Sequence, residues 1–203
     1  EMYPATTMSQ PDRQLERFGN YWGESLIVNE TAIMDDNGNL LPRGQVGELV
    51  HRGPNVMMGY YKDPKATEEA RKFGWHHTGD LALIDEHGEV LFLDRKKDMI
   101  KSGGENVASV KIEEALLAHP AVQNAAVVGL PHPQWGEAVS AFVKLKPGVE
   151  ADEAGIAEHC RKHLGGFQVP KLIRILDEMP MTATGKLRKV ELRQAFSEHF
   201  AGK

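Results

Sequence analysis

The chain has 203 residues, 41% of them hydrophobic and 26% charged. That length holds one large domain or two small ones, and the composition excludes a disordered or fibrous protein. Of the formal net charge of −5, residues 1–93 carry −7 and residues 94–203 carry +2; the second part suits a small anionic ligand, but it is too weakly basic to read as a nucleic-acid surface.

The chain opens on Glu1 rather than Met, with no charged-then-apolar leader and no run of 18 apolar residues. No secretion signal or membrane span is expected, and the sequence reads as cut from something longer. Residues 30–94 read as short strands joined by tight turns. Thr31–Met34 and Val46–Val50 flank the hairpin signal Asp35-Asp-Asn-Gly38, and Leu81–Ile84 and Val90–Leu93 flank Asp85-Glu-His-Gly88. Between the hairpins, Asp63-Pro64 starts a short helix running to about Lys72, ended by Gly74.

The pattern changes at the charged run Asp94–Asp98, read either as a linker or as a solvated turn. Helices and strands then alternate. Ile112, Ala115 and Leu116 mark a helix, Ala125–Leu130 an apolar strand, and Val139, Ala141, Val143 and Leu145 a half-buried strand. Ile156, Ala157, Cys160 and Leu164 stripe a second helix stopped by Gly165-Gly166. Leu172–Leu176 is a third strand, and Leu192, Ala195, Phe196 and Phe200 stripe a terminal helix. The expected architecture is α+β in two parts: a β-rich, barrel-like subdomain, then a small domain with a short sheet covered by helices. The single cysteine, Cys160, excludes an internal disulfide; it falls on an apolar stripe as a buried thiol, and a reducing cytoplasm is its natural setting.

Three segments carry candidate chemistry. Thr78-Gly79 makes a sharp bend that aims Asp80, a carboxylate able to accept two hydrogen bonds, as a vicinal diol requires; alternatively Asp80 stabilises its own turn. In Lys101–Val107, the adjacent Gly103 and Gly104 permit positive φ and close approach of a ligand, or simply form a turn. In Met181–Lys189, Lys186 follows Gly185 on a loop ahead of a helix, which suits delivery of one cation to a reacting phosphate or carboxylate, or leaves it merely solvated. This is not a Walker phosphate loop: Pro180 stands where the first glycine belongs and Leu187 where Ser or Thr follows the lysine. His76 and His77 are adjacent on a strand, so they point to opposite faces and cannot share a metal.

In order, Thr78-Gly-Asp80, Asp94-Arg-Lys-Lys97, Lys101-Ser-Gly-Gly-Glu-Asn-Val107 and Pro180…Gly185-Lys-Leu-Arg-Lys189 resemble the acyl-activating, adenylate-forming superfamily, most of all its AMP-forming acyl-CoA synthetases. Gly47-Glu-Leu49, Arg52-Gly53 and Met58-Gly-Tyr-Tyr61 fit the same pattern. The resemblance implies ATP or AMP, Mg²⁺ and coenzyme A as cofactors and a carboxylic acid, fatty or aryl, as substrate. It implies that Asp80 and Arg95 hold the nucleotide ribose, that Lys97 is a hinge, and that Lys186 reaches the reacting carboxylate and α-phosphate. The Gly103-Gly104 loop, with Lys101 at its start, would border the pantetheine tunnel. Glu1 would be the last residue of a Tyr-Gly-x-Thr-Glu segment and help to hold magnesium.

By the same resemblance, residues 1–94 end a large domain, 95–97 form the hinge and 98–203 are a mobile domain. The phosphate loop and acyl pocket lie upstream, so the chain alone is expected to be inactive, with exposed apolar surface that favours dimerisation. Two other readings remain: a non-catalytic nucleotide- or protein-binding module, and the adenylation domain of a peptide synthetase, although no carrier domain follows before Lys203.

Overall fold

The computed structural model describes residues 5–9 and 20–201. It divides into two compact units, Glu1–Lys97 and Asp98–Lys203.

In unit 1, β1 (Thr7–Met8) and β2 (Glu24–Ser25) form a small antiparallel ribbon. The main sheet is antiparallel, in the order β3 (Glu30–Met34), β4 (Gly47–Arg52), β5 (His76–Ile84), β6 (Val90–Arg95). This sheet is open, so the expected barrel-like form does not occur: four strands are too few to close on themselves. Side chains alternate across it. Ile33, Leu49, Ala82 and Val90 cluster together, while Met34 and Val50 join Trp75 in a separate cluster.

Both hairpin signals work through one device. Asp35 Oδ1 accepts from the Asn37 and Asn39 amides, and Asp85 Oδ1 accepts from those of His87 and Glu89. The first connection is longer than a hairpin turn, because the chain wanders through residues 40–46 before β4 begins. Asp63 caps α1 (Pro64–Glu69) through the Ala66 amide. The helix stops earlier than expected, and Lys72–Gly74 is a separate 3₁₀ turn. Met58 and Tyr61 in the connecting loop are 92% and 88% exposed, an unusual amount of bare apolar surface.

In unit 2, β7 (Ile100–Ser102) and β8 (Glu105–Val107) form a hairpin, followed by α2 (Ser109–Leu117). β9 (Val122–His132) and β10 (Gly136–Leu145) pair along nearly their whole length. α3 (Glu153–His163) then crosses to β11 (Leu172–Ile175), which lies parallel to β10, and α4 (Lys189–Ala195) ends the unit.

The core has two halves. Ile112, Leu116, Ile156 and Cys160 of α2 and α3 cover Val127, Val139, Ala141 and Val143. Ala126, Val128, Leu130 and Phe142 meet Leu192 of α4 and Phe200 instead. β10 is therefore buried on both faces rather than half-buried, because the terminal helix covers the second one. Gly165-Gly166 does not cap α3: the helix ends at Leu164, whose extended backbone (φ −121°, ψ 150°) breaks it one residue earlier. Among the described residues, no helix is long and apolar enough to cross a membrane.

Candidate functional site

In unit 1 the chemistry gathers where β5 kinks. Between Glu48 and Val50 of β4 there is one residue, but between their partners Leu81 and His77 of β5 there are three, Thr78, Gly79 and Asp80. The extra residues bulge with Gly79 at φ +73°, a conformation that a side chain would strain. Thr78 Oγ1 donates to Leu49 O and accepts from the Asp80 amide. Thr78-Gly79 thus turns within the strand rather than ahead of it, and the bulge aims Asp80.

Asp80 stands opposite Arg95 in the β5–β6 register, and Arg95 Nε lies 2.8 Å from Asp80 Oδ1. The carboxylate is nearly buried and the guanidinium is half exposed. Together they border a cleft of about 170 Å³ whose walls include Thr6, Trp22, Tyr60 and His76. His51, directly across from His76 in the sheet, shares a 3.0 Å hydrogen bond with Thr31 Oγ1. Burial, and secondarily electrostatic repulsion from the neighbouring His76 imidazole, pushes His51 down to about 4, so it is neutral at pH 7.

Sequence reasoning passed over Glu48 as a site residue. Its Oε1 accepts from the Gly79 amide at 3.1 Å, and its Oε2 accepts from Lys96 Nζ at 2.9 Å and lies 3.1 Å from His77 Nδ1. One buried carboxylate thus holds the bulge that aims Asp80 and the strand end that carries Arg95. The available signal was a charged residue inside an otherwise apolar strand pattern, which is rarely buried without partners. Burial pushes this carboxyl up, but Lys96 and His77 outweigh it and hold Glu48 below its ordinary value of 4.5.

The sign follows: a lowered folded pKa gives stability that is present above 4.5 and is lost as pH falls through the folded value. Glu48→Gln is expected to cost about 1–3 kcal/mol at pH 7, with the difference from the parent shrinking below pH 4.5. Urea titrations at several pH values, followed by tryptophan fluorescence, check this.

The charged run ends unit 1 and begins unit 2. Asp94 and Asp98 at its ends are buried, while Arg95, Lys96 and Lys97 are exposed. It is neither wholly solvated nor wholly linker.

In unit 2, Gly103 and Gly104 form the two-residue turn of the β7–β8 hairpin, with φ of +60° and +88°. The Gly103 amide donates to Trp135 O, and the exposed Lys101 donates its amide to Glu137 Oε2. A Cβ on Gly104 would meet nothing, so glycine is needed there for its dihedral rather than for space. The loop of Lys186 is wound on itself. The Thr182 amide donates to Lys186 O, the Gly185 amide to Thr182 O, and the Lys186 amide to Thr182 Oγ1. Lys186 sits exposed on this loop, just before α4.

Asp80 and Arg95 thus meet within unit 1, whereas Lys101, Gly103, Gly104 and Lys186 belong to unit 2. Glu1, the magnesium candidate, lies outside the described residues. Among the described residues, no group of three or more His, Cys, Asp or Glu is placed to hold a metal.

Compared with known proteins, residues 1–61 match the AMP-binding enzyme family and residues 111–186 match the AMP-binding enzyme C-terminal domain. The chain is 48% identical over 149 residues to the peroxisomal trans-cinnamate:CoA ligase of Petunia hybrida, an alignment covering 73% of this chain and 26% of that protein. It is 46% identical over 164 residues to a long-chain-fatty-acid–CoA ligase of Escherichia coli O6:H1, covering 81% and 29%. A solved structure of Bacillus subtilis o-succinylbenzoate CoA synthetase, in complex with its acyl-adenylate intermediate, matches with a TM-score of 0.86 at 32% identity, covering 94% of this chain and 38% of that one. The chain therefore spans 26–38% of the length of these three proteins.

Proposed function

Because the chain belongs to the AMP-binding, adenylate-forming enzyme family, we propose that it is the C-terminal part of an acid–CoA ligase acting on a fatty or aryl carboxylic acid. The observation that carries this reading is the meeting of Asp80 and Arg95 at 2.8 Å beside a cleft, 15 positions apart in sequence, in the order the family pattern requires. Asp80 accepts hydrogen bonds from the two ribose hydroxyls of ATP, and Arg95 fixes the carboxylate and adds a donor.

The reaction joins two anions. A carboxylate oxygen bonds to the α-phosphorus of ATP, the bond to the β-phosphate oxygen breaks, and pyrophosphate leaves. Lys186 offsets the negative charge that gathers at this junction. Magnesium, when bound, would screen the polyphosphate. The coenzyme A thiol then gives its proton to solvent and its sulfur bonds to the acyl carbon, while the single bond from that carbon to the phosphate oxygen breaks and AMP leaves with that oxygen. That second step needs the space Lys186 had occupied. A rotation of unit 2 about Lys97 withdraws the lysine and brings the bare Gly103-Gly104 turn, with Lys101, to the thiol path. The exposure of Lys97 between two buried aspartates suits a joint that turns without uncovering core.

The residues that select the acid belong to upstream sequence, and the 203-residue chain alone is inactive in adenylation. A pyrophosphate-release screen of the complete polypeptide against short, medium, long and aromatic acids tests the reading; release with none of them rejects it. Within it, Asp80→Asn is expected to raise the KM for ATP roughly 10- to 100-fold through weakened charge-assisted hydrogen bonds, with a smaller change in kcat. An unchanged KM removes Asp80 from the ribose site.

A further inference from the structure

α4 carries the Lys186 loop at its start, and at 7 residues it is too short to hold itself. Arg188, at its N-cap, makes no side-chain capping bond. Two ion pairs within unit 2 take over. Lys189 Nζ lies 2.8 Å from Glu113 Oε1 and donates to Ser109 Oγ at 2.8 Å. The same Glu113 oxygen accepts from the Val127 amide at 2.7 Å, which locks the carboxylate to β9. Ser109 is fully buried, and the Lys189 and Glu113 side chains are 16% and 17% exposed.

One turn further on, Arg193 Nη2 donates to Asp98 Oδ1 at 2.6 Å, again largely out of solvent. Asp98 is the first residue of unit 2 and the neighbour of Lys97. The loop itself closes onto the helix start, since the Arg188 amide donates to Pro180 O at 2.8 Å. A sheltered ion pair of this kind gives little net stability over an apolar pair, yet it fixes geometry, because removing one partner strands the other.

We propose that Lys189 and Arg193 are positioning residues for Lys186: through Glu113 with Ser109, and through Asp98, they fasten its loop to α2 and to the root of unit 2. This rests on the ligase reading. Turning at Lys97 then carries the Lys186 ammonium as part of a rigid body. A slack joint at α4 would let the lysine wander, and a misplacement of about 1 Å at a reacting centre can cost on the order of 10²-fold in rate.

Two measurements test this. The first is amide hydrogen exchange on the 203-residue chain with Lys189→Met, which keeps an unbranched side chain one atom shorter and removes its charge. The amides of Thr182, Gly185, Lys186 and Arg188 are expected to exchange about tenfold faster or more, while those of Ala141 and Val143 in β10 stay within about twofold. Lys189→Arg restores most of the protection, and Arg193→Met, as a second variant, loosens the same four amides.

The second is kinetics on the complete polypeptide. Lys189→Met is expected to lower kcat for adenylation roughly 10- to 100-fold, with KM for ATP within about threefold, and to leave thioester formation from supplied acyl-adenylate within about threefold of the parent. Unchanged exchange at the loop overturns the proposal. So does equal acceleration of the β10 amides, which makes the pairs a staple of the whole unit. A parent polypeptide that adenylates no acid counts against the ligase reading alone, and the exchange result still decides the positioning role.

Discussion

Lys186→Ala in the complete polypeptide is expected to slow acyl-adenylate formation roughly 10²–10³-fold, equivalent to about 2.7–4 kcal/mol of lost charge stabilisation. The side chain is exposed on a loop tied together by three hydrogen bonds from Thr182, Gly185 and Lys186. Among the described residues no backbone group accepts from the ammonium, so its removal is expected to leave the loop standing and to cost chemistry rather than fold. The second half-reaction separates the two. Supplied with preformed acyl-adenylate, the variant is expected to form thioester within a few-fold of the parent rate, because the proposed rotation withdraws the lysine before that step. Pyrophosphate release and thioester formation, measured separately, check both halves. Equal loss in the two assays makes Lys186 a general binding residue instead.

The reading of the sequence succeeded where a pattern is local. Asp35 and Asp85 announce their turns because each carboxylate needs only the next few amides. The apolar run Ala125–Leu130 and the alternation of Val139, Ala141, Val143 and Leu145 likewise announce β9 and β10 from neighbouring residues alone. The reading fell short where a distant element decides the outcome. Nothing in Val139–Leu145 states that Phe196 and Phe200 will cover its second face, so the strand reads as half-buried. Thr78-Gly79 signals a bend, but that the bend is a bulge inside β5 depends on the register with β4. Glu48 acquires its role only when Lys96, 48 positions on, folds back to it. Lys189 and Glu113, 76 positions apart, are likewise invisible as a pair until α4 docks.

Phe142→Ala carries the largest expected cost in stability, about 3–5 kcal/mol. Phe142 is fully buried in β10, and its ring centroid lies 4.6 Å from that of Phe196. It fills the space between the sheet and the α4 face, beside Ala126, Val128, Leu130 and Leu192. Small residues such as Ala126 cannot expand into the cavity, so relaxation recovers little of the loss. Against a typical total of about 5–15 kcal/mol for a domain, unit 2 would be left marginal. Unit 1 has its own clusters and is expected to keep its stability. Denaturant titration resolves the two through tryptophans on opposite sides of the boundary, Trp75 in unit 1 and Trp135 in unit 2. A loss below about 1.5 kcal/mol would mean that the α4 face repacks around the smaller side chain.

In the proposed reaction, unit 2 moves as a body that presents Lys186 and then withdraws it. A pair of spin labels at Glu86→Cys and Ala183→Cys, both exposed positions, reads this directly in the complete polypeptide once any cysteine outside the 203 residues is replaced, since Cys160 is buried and its thiol is pushed up by burial. The distance distribution with ATP and a non-reacting acid analogue is expected to differ from that with acyl-adenylate analogue and coenzyme A, as two ligand-selected populations. One distribution, unchanged by any ligand, contradicts the account.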